Sequence, residues 1–216
     1  MIEFNSLGFT YPNGCQALMD VNLYIEKGSF NFLTGHSGAG KTTLIRLIMG
    51  LIKPSRGNII ISGQNLSQIK QSNLDVYRRK MGLVFQDHQL LYDRSVYDNV
   101  VLPLLLSGYN SDDANARVKA ALSRVLLRHK IDDNPGNLSV GEQQRVCIAR
   151  AIVARPEVLL ADEPTGNLDP MLSVEIMKIF IDFQDVGTTI LVATHDVQLI
   201  ECFNANVINL KEGRVT

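Results

Sequence analysis

The stretch Gly35-His36-Ser37-Gly38-Ala39-Gly40-Lys41-Thr42 is a glycine-spaced loop that closes on a lysine and a hydroxyl. Glycines let a backbone wind closely round an anion, its N–H groups and the start of the following helix supply positive potential, and Lys41 adds a full charge. The chemistry this spacing serves is the grip of a nucleotide's phosphates, with Gly35, Ser37, Gly38, Ala39, Gly40, Lys41, Thr42 and Thr43 as the binding set and Thr42 as the hydroxyl for Mg2+. A phosphate-gripping loop needs a carboxylate partner for the metal. Val158-Leu159-Leu160-Ala161-Asp162-Glu163 offers an apolar strand ending in two acids. Asp162 is expected to orient Mg2+ through its water shell, and Glu163, one residue on, to polarise an attacking water as general base.

These groups need elements to hold them. Phe30 to Thr34 reads as a strand entering the glycine loop, and Leu44 to Leu51 as the helix leaving it, which is the context the loop requires. Residues 2 to 33 read mainly as strands, with turn signals at Pro12-Asn13-Gly14 and Lys27-Gly28. Further strands are expected at Ile59 to Ile61 and Met81 to Phe85. From about Asp87 to Arg155 strand signals stop, and Asp112 to Leu127 and Glu142 to Ala154 carry helical apolar spacing. Strand and helix then alternate again, with strands at Val158 to Ala161, Thr188 to Ala193 and Val207 to Leu210 and a helix at Leu172 to Phe183. That order predicts an α/β fold, a parallel sheet covered by helices, with an inserted helical lobe. The expected division is one domain, 1–216, with a core lobe at about 1–86 and 156–216 and a helical lobe at about 87–155.

Composition narrows the function. Hydrophobic residues at 45% supply a full core, and 21 Lys+Arg against 22 Asp+Glu leave a net charge of -1, which gives no field for nucleic acid or anionic lipid. Cys15, Cys147 and Cys202 form no C-x-x-C pair and fit neither a disulfide framework nor a zinc site, so a reducing cytoplasm and buried apolar roles are expected for all three. The N-terminal MIEFNSLGFTY does not read as a signal peptide. The run Val100 to Leu106 is interrupted by Pro103 and falls short of the roughly 20 residues of a membrane helix, so no direct membrane insertion is expected.

Leu138-Ser139-Val140-Gly141-Glu142-Gln143-Gln144 resembles the L-S-G-G-E/Q signature of the ABC ATPases, with Val140 where that family usually has glycine. Gln86 after a strand, Asn167-Leu168-Asp169 after the acids and Thr194-His195-Asp196 after the next strand follow in the family's order. The resemblance spans Tyr11 to the final strand. It implies a P-loop NTPase core, a RecA-like parallel sheet with an N-terminal antiparallel β region, plus an inserted helical subdomain. It also implies ATP as substrate with Mg2+, Tyr11 stacked on adenine, Gln86 linking metal and water to the partner-facing lobe, and His195 at the γ-phosphate. Read singly, Tyr11 also fits an amphipathic strand, Gln86 a loop amide and His195 a helix cap. Ser139 and Gly141 open a helix suited to an anion, yet one chain already surrounds its triphosphate, so the family's arrangement is a homodimer in which Ser139 and Gly141 close over the other subunit's nucleotide and Asp169 crosses the interface.

Phe85 to Leu91 and Asp93 to Val100 are similar to the cell-division branch of the family. That implies an FtsX-like integral membrane subunit, a cytoplasmic, peripheral position on the inner face of the membrane, and control of peptidoglycan hydrolysis. Tyr92, Val96, Tyr97, Val100 and Leu104 are expected to form part of a groove for that partner, with core packing within the lobe as the other reading for any one of them. The Ala161 to Asp169 stretch is shared with lipoprotein-release and macrolide-type exporters, which stay as the alternative. A nucleic-acid machine is opposed by the single core without heptads, and a GTPase by the lack of an N-K-x-D string.

Overall fold

The computed structural model describes residues 1–166 and 168–216; Asn167 of the string after the acids lies outside the described residues. The chain opens with β1 (Ile2–Thr10), β2 (Gln16–Ile25) and β3 (Phe30–Thr34), then α1 (Lys41–Ile48), β4 (Arg56–Ile61), β5 (Gln64–Asn65), α2 (Leu74–Arg78) and β6 (Met81–Val84). Three helices follow without an intervening strand, α3 (Val96–Leu106), α4 (Ser111–Arg124) and α5 (Val140–Ile152). The chain returns to β7 (Val158–Asp162), α6 (Pro170–Asp185), β8 (Thr189–Ala193), α7 (Val197–Glu201), β9 (Asn206–Lys211) and β10 (Arg214–Val215). The expected α/β fold is what the structure shows.

Two sheets share the work. One is antiparallel, in the order β2-β1-β4-β5; the other, β10-β9-β3-β8-β7-β6, is parallel from β9 to β6. Its central strands β3, β8 and β7 are buried on both faces, which is why they read as continuous apolar runs. Side chains alternate between the faces with period two. Val158 and Leu160 of β7, Leu191 and Ala193 of β8 and Leu33 of β3 join α1 and the antiparallel sheet in one core. Leu159 and Ala161, Ile190 and Val192, and Phe30 and Phe32 join the helices in the other.

The sequence pattern places α4 and α5 within three residues of their observed bounds, and caps set where each helix starts. Asn110 accepts from the Asp113 N–H to start α4, and Ser139 with Glu142 forms a capping box that starts α5 at Val140. The pattern misses α3 altogether. Its run is apolar on every side, so no 3.6-residue stripe marks it, and an internal proline costs a helix about 3 kcal/mol. Here a Ser95–Asp98 capping box sets the start and fully buried Val96, Val100 and Leu104 hold the helix despite Pro103. Those three residues therefore belong to the core and cannot line a partner groove, which corrects the expectation for that set; Tyr92 is exposed and Tyr97 only half-buried.

The cysteines also differ from expectation. Cys147 is buried, and burial pushes its thiol up to about 12, but Cys15 and Cys202 are exposed in local turns outside the core. Among the described residues no helix is long and apolar enough to cross a membrane.

One close approach sets the position of α5 over the parallel sheet. A Cβ on Gly82 of β6 would stand 2.4 Å from the Ala151 carbonyl oxygen and 2.8 Å from Leu159 Cδ1. Gly82→Ala should therefore destabilise the chain by about 1–3 kcal/mol through overpacking, read as a lower denaturation midpoint at unchanged slope. A midpoint equal to the parent's would show that the helix has room to move.

Candidate active site

The register of the parallel sheet draws one transverse line. Leu33 of β3 pairs with Ala193 of β8, Ala193 pairs with Asp162 of β7, and Ala161 pairs with Val84 of β6. The glycine loop, His195, Glu163 and Gln86 each lie one to three residues beyond that line. They meet in a cleft of about 680 Å³, lined also by Tyr11, Lys41, Thr42, Thr43 and Asp162. A larger cleft of about 1060 Å³, bordered by Tyr24, Arg124 and Val186, holds none of these groups.

The loop is shaped for an anion. Gly40 has φ +108°, and a Cβ there would press to 2.7 Å on the Ala17 carbonyl, so only glycine fits. Gly40 is also the N-cap of α1 and brings no side chain to it. Of the five α-helices with eight or more residues among the described residues, α1 alone lacks a capping side chain; Ser95, Asn110, Ser139 and Asp169 cap the others. Its first N–H groups are left for a ligand. Lys41 Nζ donates to the Gly35 carbonyl at 2.7 Å and the His36 carbonyl at 3.3 Å, which bends the ammonium back over the loop.

Opposite the loop lies Asp162, only 7% exposed. Burial raises its carboxyl above the ordinary range and Glu163 beside it adds to this, while a hydrogen bond from Thr42 and the charges of Lys41 and Arg46 oppose the shift. A buried carboxylate beside a hydroxyl, penalised while its charge is uncompensated, is the donor set a small hard cation such as Mg2+ fits. Glu163 stands in the left-handed region at φ +50°, a strain of about 1–3 kcal/mol. Its N–H donates to the Ala193 carbonyl at 2.9 Å, and its Oε1 lies 2.8 Å from His195 Nδ1. An ionised carboxylate only accepts, so Nδ1 carries the hydrogen of that bond and Nε2 is the nitrogen left for another partner. That bond, not a helix cap, is what His195 makes.

At the other end of the cleft the Tyr11 hydroxyl lies 2.9 Å from Thr43 Oγ1, and its ring meets Phe9 edge-on at 4.8 Å between centroids. Cys15, Gln16 and Ala17 complete this wall, and nothing in their residue types marks them for it.

Ser139, Gly141 and Asp169 stand apart from the cleft. Ser139 and Asp169 are exposed, Val140 is 54% exposed, and Asp169 caps α6 by accepting from the Leu172 N–H. Glu142 Oε2 accepts from the Ser139 N–H at 2.8 Å and from its hydroxyl at 2.9 Å, bonds that hold the Glu142 carboxyl below its usual range. One link between the two groups of residues has no sequence signal. Gln144, 1% exposed, donates to the Pro164 carbonyl at 2.9 Å, directly after the acids, whereas adjacent Gln143 bonds Pro135 and Leu138. Neighbours on a helix point about 100° apart, and a bare Gln-Gln pair does not reveal which of them faces inward.

Comparison with known proteins gives one answer. The family model described as ABC transporter matches residues 18–166. The chain is 49% identical over 215 residues to the cell division ATP-binding protein FtsE of Escherichia coli (strain K12), covering 100% of this chain and 97% of that one. Among solved structures it is similar to the dimeric bacterial ABC transporter cassette MJ0796, at a TM-score of 0.94 and 34% identity over 100% of this chain and 96% of that chain. It is also similar to the dimeric post-hydrolysis state of that cassette bound to ADP and Pi, with a TM-score of 0.93, 33% identity and coverage of 100% and 96%.

A test of the buried carboxylate follows from its sign. A carboxyl whose folded value is raised binds its proton more tightly in the folded chain, so its stabilising share is full at low pH and is lost as pH rises through the raised value. In nucleotide-free, metal-free buffer, Asp162→Asn should remove that decline and melt above the parent at neutral pH. Melting curves that fall in parallel with pH for both proteins would contradict the burial argument.

Proposed function

This chain belongs to the ABC transporter family of ATP-binding proteins, and on that premise we propose that it hydrolyses ATP as the cytoplasmic subunit of a cell-division complex, driving an integral membrane partner of the FtsX type. The observation that carries the chemical part is the Glu163–His195 contact at 2.8 Å in the cleft that also holds Lys41 and Asp162.

In this reading the N–H groups of residues 38–43 and the Lys41 ammonium hold the β- and γ-phosphates, and Tyr11 stacks on the adenine. Mg2+ arriving with the nucleotide would be held by Thr42 and Asp162, with Gln86 at its rim, and supplies charge neutralisation on the phosphates. Glu163 accepts a proton from water as the water oxygen attacks the γ-phosphorus, while the bond to the ADP oxygen breaks and Lys41 offsets the charge gathering there. His195 keeps the Glu163 carboxylate aimed through Nδ1 and offers Nε2 to the γ-phosphate. Ser139 and Gly141 serve the nucleotide of a second copy across a sandwich dimer, with Asp169 at the junction. The dimeric state of the MJ0796 cassette and the exposure of Ser139 and Asp169 support that arrangement. Residues 87–155 act as the lobe that moves, and peptidoglycan hydrolysis is the process controlled across the membrane. The naming of the Escherichia coli relative supports the cell-division role over an exporter's.

Two variants separate binding from chemistry. Lys41→Ala should weaken ATP binding, whereas Glu163→Gln should keep it and lower turnover by about 10²–10⁴-fold, since it removes a proton acceptor and little else. With ATP, the Glu163→Gln protein should also double its mass in light scattering and co-purify with the membrane subunit. Hydrolysis at the parental rate by Glu163→Gln would remove the base from this account, and a strictly monomeric protein under those conditions would remove the sandwich.

A further inference from the structure

Gln86 is exposed at the rim of the cleft, on a loop that nothing in its own sequence makes rigid. Two residues later the backbone does something costly. His88 and Gln89 stand successively in the left-handed region, at φ +53° and +49°, although neither is glycine. Each such residue costs about 1–3 kcal/mol and persists only where its surroundings impose it. Here three donors from one helix impose it. Arg150, in the last turn of α5, donates from one terminal nitrogen to the His88 carbonyl and from the other to the Gln89 carbonyl, both at 2.8 Å, and the Cys147 thiol reaches the same His88 oxygen at 3.0 Å. Successive left-handed residues bring their carbonyls to bear on one cation, and the fixed fork of a guanidinium spans both where an ammonium bonds them one at a time. His88 is itself 8% exposed, so its carbonyl has little access to water as a substitute partner.

We propose that Arg150 is a positioning residue for ATP hydrolysis, holding the strained pair His88-Gln89 on α5 and thereby fixing where Gln86 stands in the nucleotide cleft. The inference rests on the reading of Gln86 as a site residue given above. It goes beyond that reading by placing the control of Gln86 on the helix whose N-cap is Ser139. A shift of that helix as Ser139 meets a second nucleotide then reaches Gln86 through two hydrogen bonds.

The test is a double-mutant cycle on steady-state hydrolysis, with ATP affinity and melting temperature measured for every protein. Gln86→Ala should lower kcat. Arg150→Ala should lower kcat about tenfold with KM for ATP within about twofold of the parent's, because the phosphate loop is untouched. In the Gln86→Ala background, Arg150→Ala should have no further effect on kcat. Arg150→Lys, which keeps the charge and the apolar stem, should give an intermediate kcat that also vanishes as an effect once Gln86 is gone, and it carries the test if Arg150→Ala does not fold. An Arg150 variant that hydrolyses ATP at the parental rate, or whose loss adds in full to that of Gln86→Ala, would overturn the inference while leaving Gln86 in the site. A parental kcat for Gln86→Ala would instead overturn the reading of Gln86, and the inference with it.

Discussion

The line Leu33–Ala193–Asp162 across the parallel sheet is the constraint on which the rest depends. Strands in a sheet lie about 4.8 Å apart, so three chain segments that end on one line must release their loops within a few ångströms of each other. No loop has to reach for its neighbour. The glycine loop leaves β3, the acid pair ends β7, and His195 follows β8, all on the carboxyl side where an open α/β sheet leaves a crevice. A slip of one residue in either of the two pairings would turn a buried face to the wrong core and would also take one group out of the cleft. Packing and chemistry are thus specified by the same register.

The cleft is assembled at a cost which the ligand is suited to offset. Burial disfavours the charged form of Asp162, Glu163 sits in a strained conformation, and α1 starts without a cap. The first is a deficit of positive charge and the third a deficit of hydrogen-bond acceptors, both at the cleft. In the proposed reading a nucleotide's phosphates satisfy the N–H groups and a cation satisfies the carboxylate. The helical insertion meets the parallel sheet in one buried core, where Val146, Ile148 and Ile152 of α5 share a cluster with Val84, Leu159 and Ala161, and Gly82 lies under Ala151 and Gln144 bonds Pro164. The bond from Gln144 ties α5 to the acid-bearing loop.

Much of this was legible because the chemistry demands residue types that seldom coincide. Glycine spacing with Lys41 and Thr42 between a strand and a helix, and two acids closing an apolar strand, identify both walls of the cleft without coordinates. What stayed hidden was set by packing. The apolar run of α3 had no polar face to give it a period, and whether Val96, Val100 and Leu104 met a partner or the core depended on which helices covered them. Cys15 and Cys202 look like any small apolar residue until their turns are known. The contacts of Tyr11 with Thr43 and of Gln144 with Pro164 join positions 32 and 20 residues apart that no local pattern connects.

The most direct test of the central claim, that one line of the sheet assembles a site for ATP hydrolysis, is a crystal structure of the chain with ADP, Mg2+ and vanadate. The account predicts vanadate between Lys41 and the Glu163 carboxylate, within hydrogen-bond reach of His195, with adenine on Tyr11. Nucleotide seated in the 1060 Å³ cleft beside Tyr24 and Arg124, or vanadate out of reach of Glu163, would contradict it.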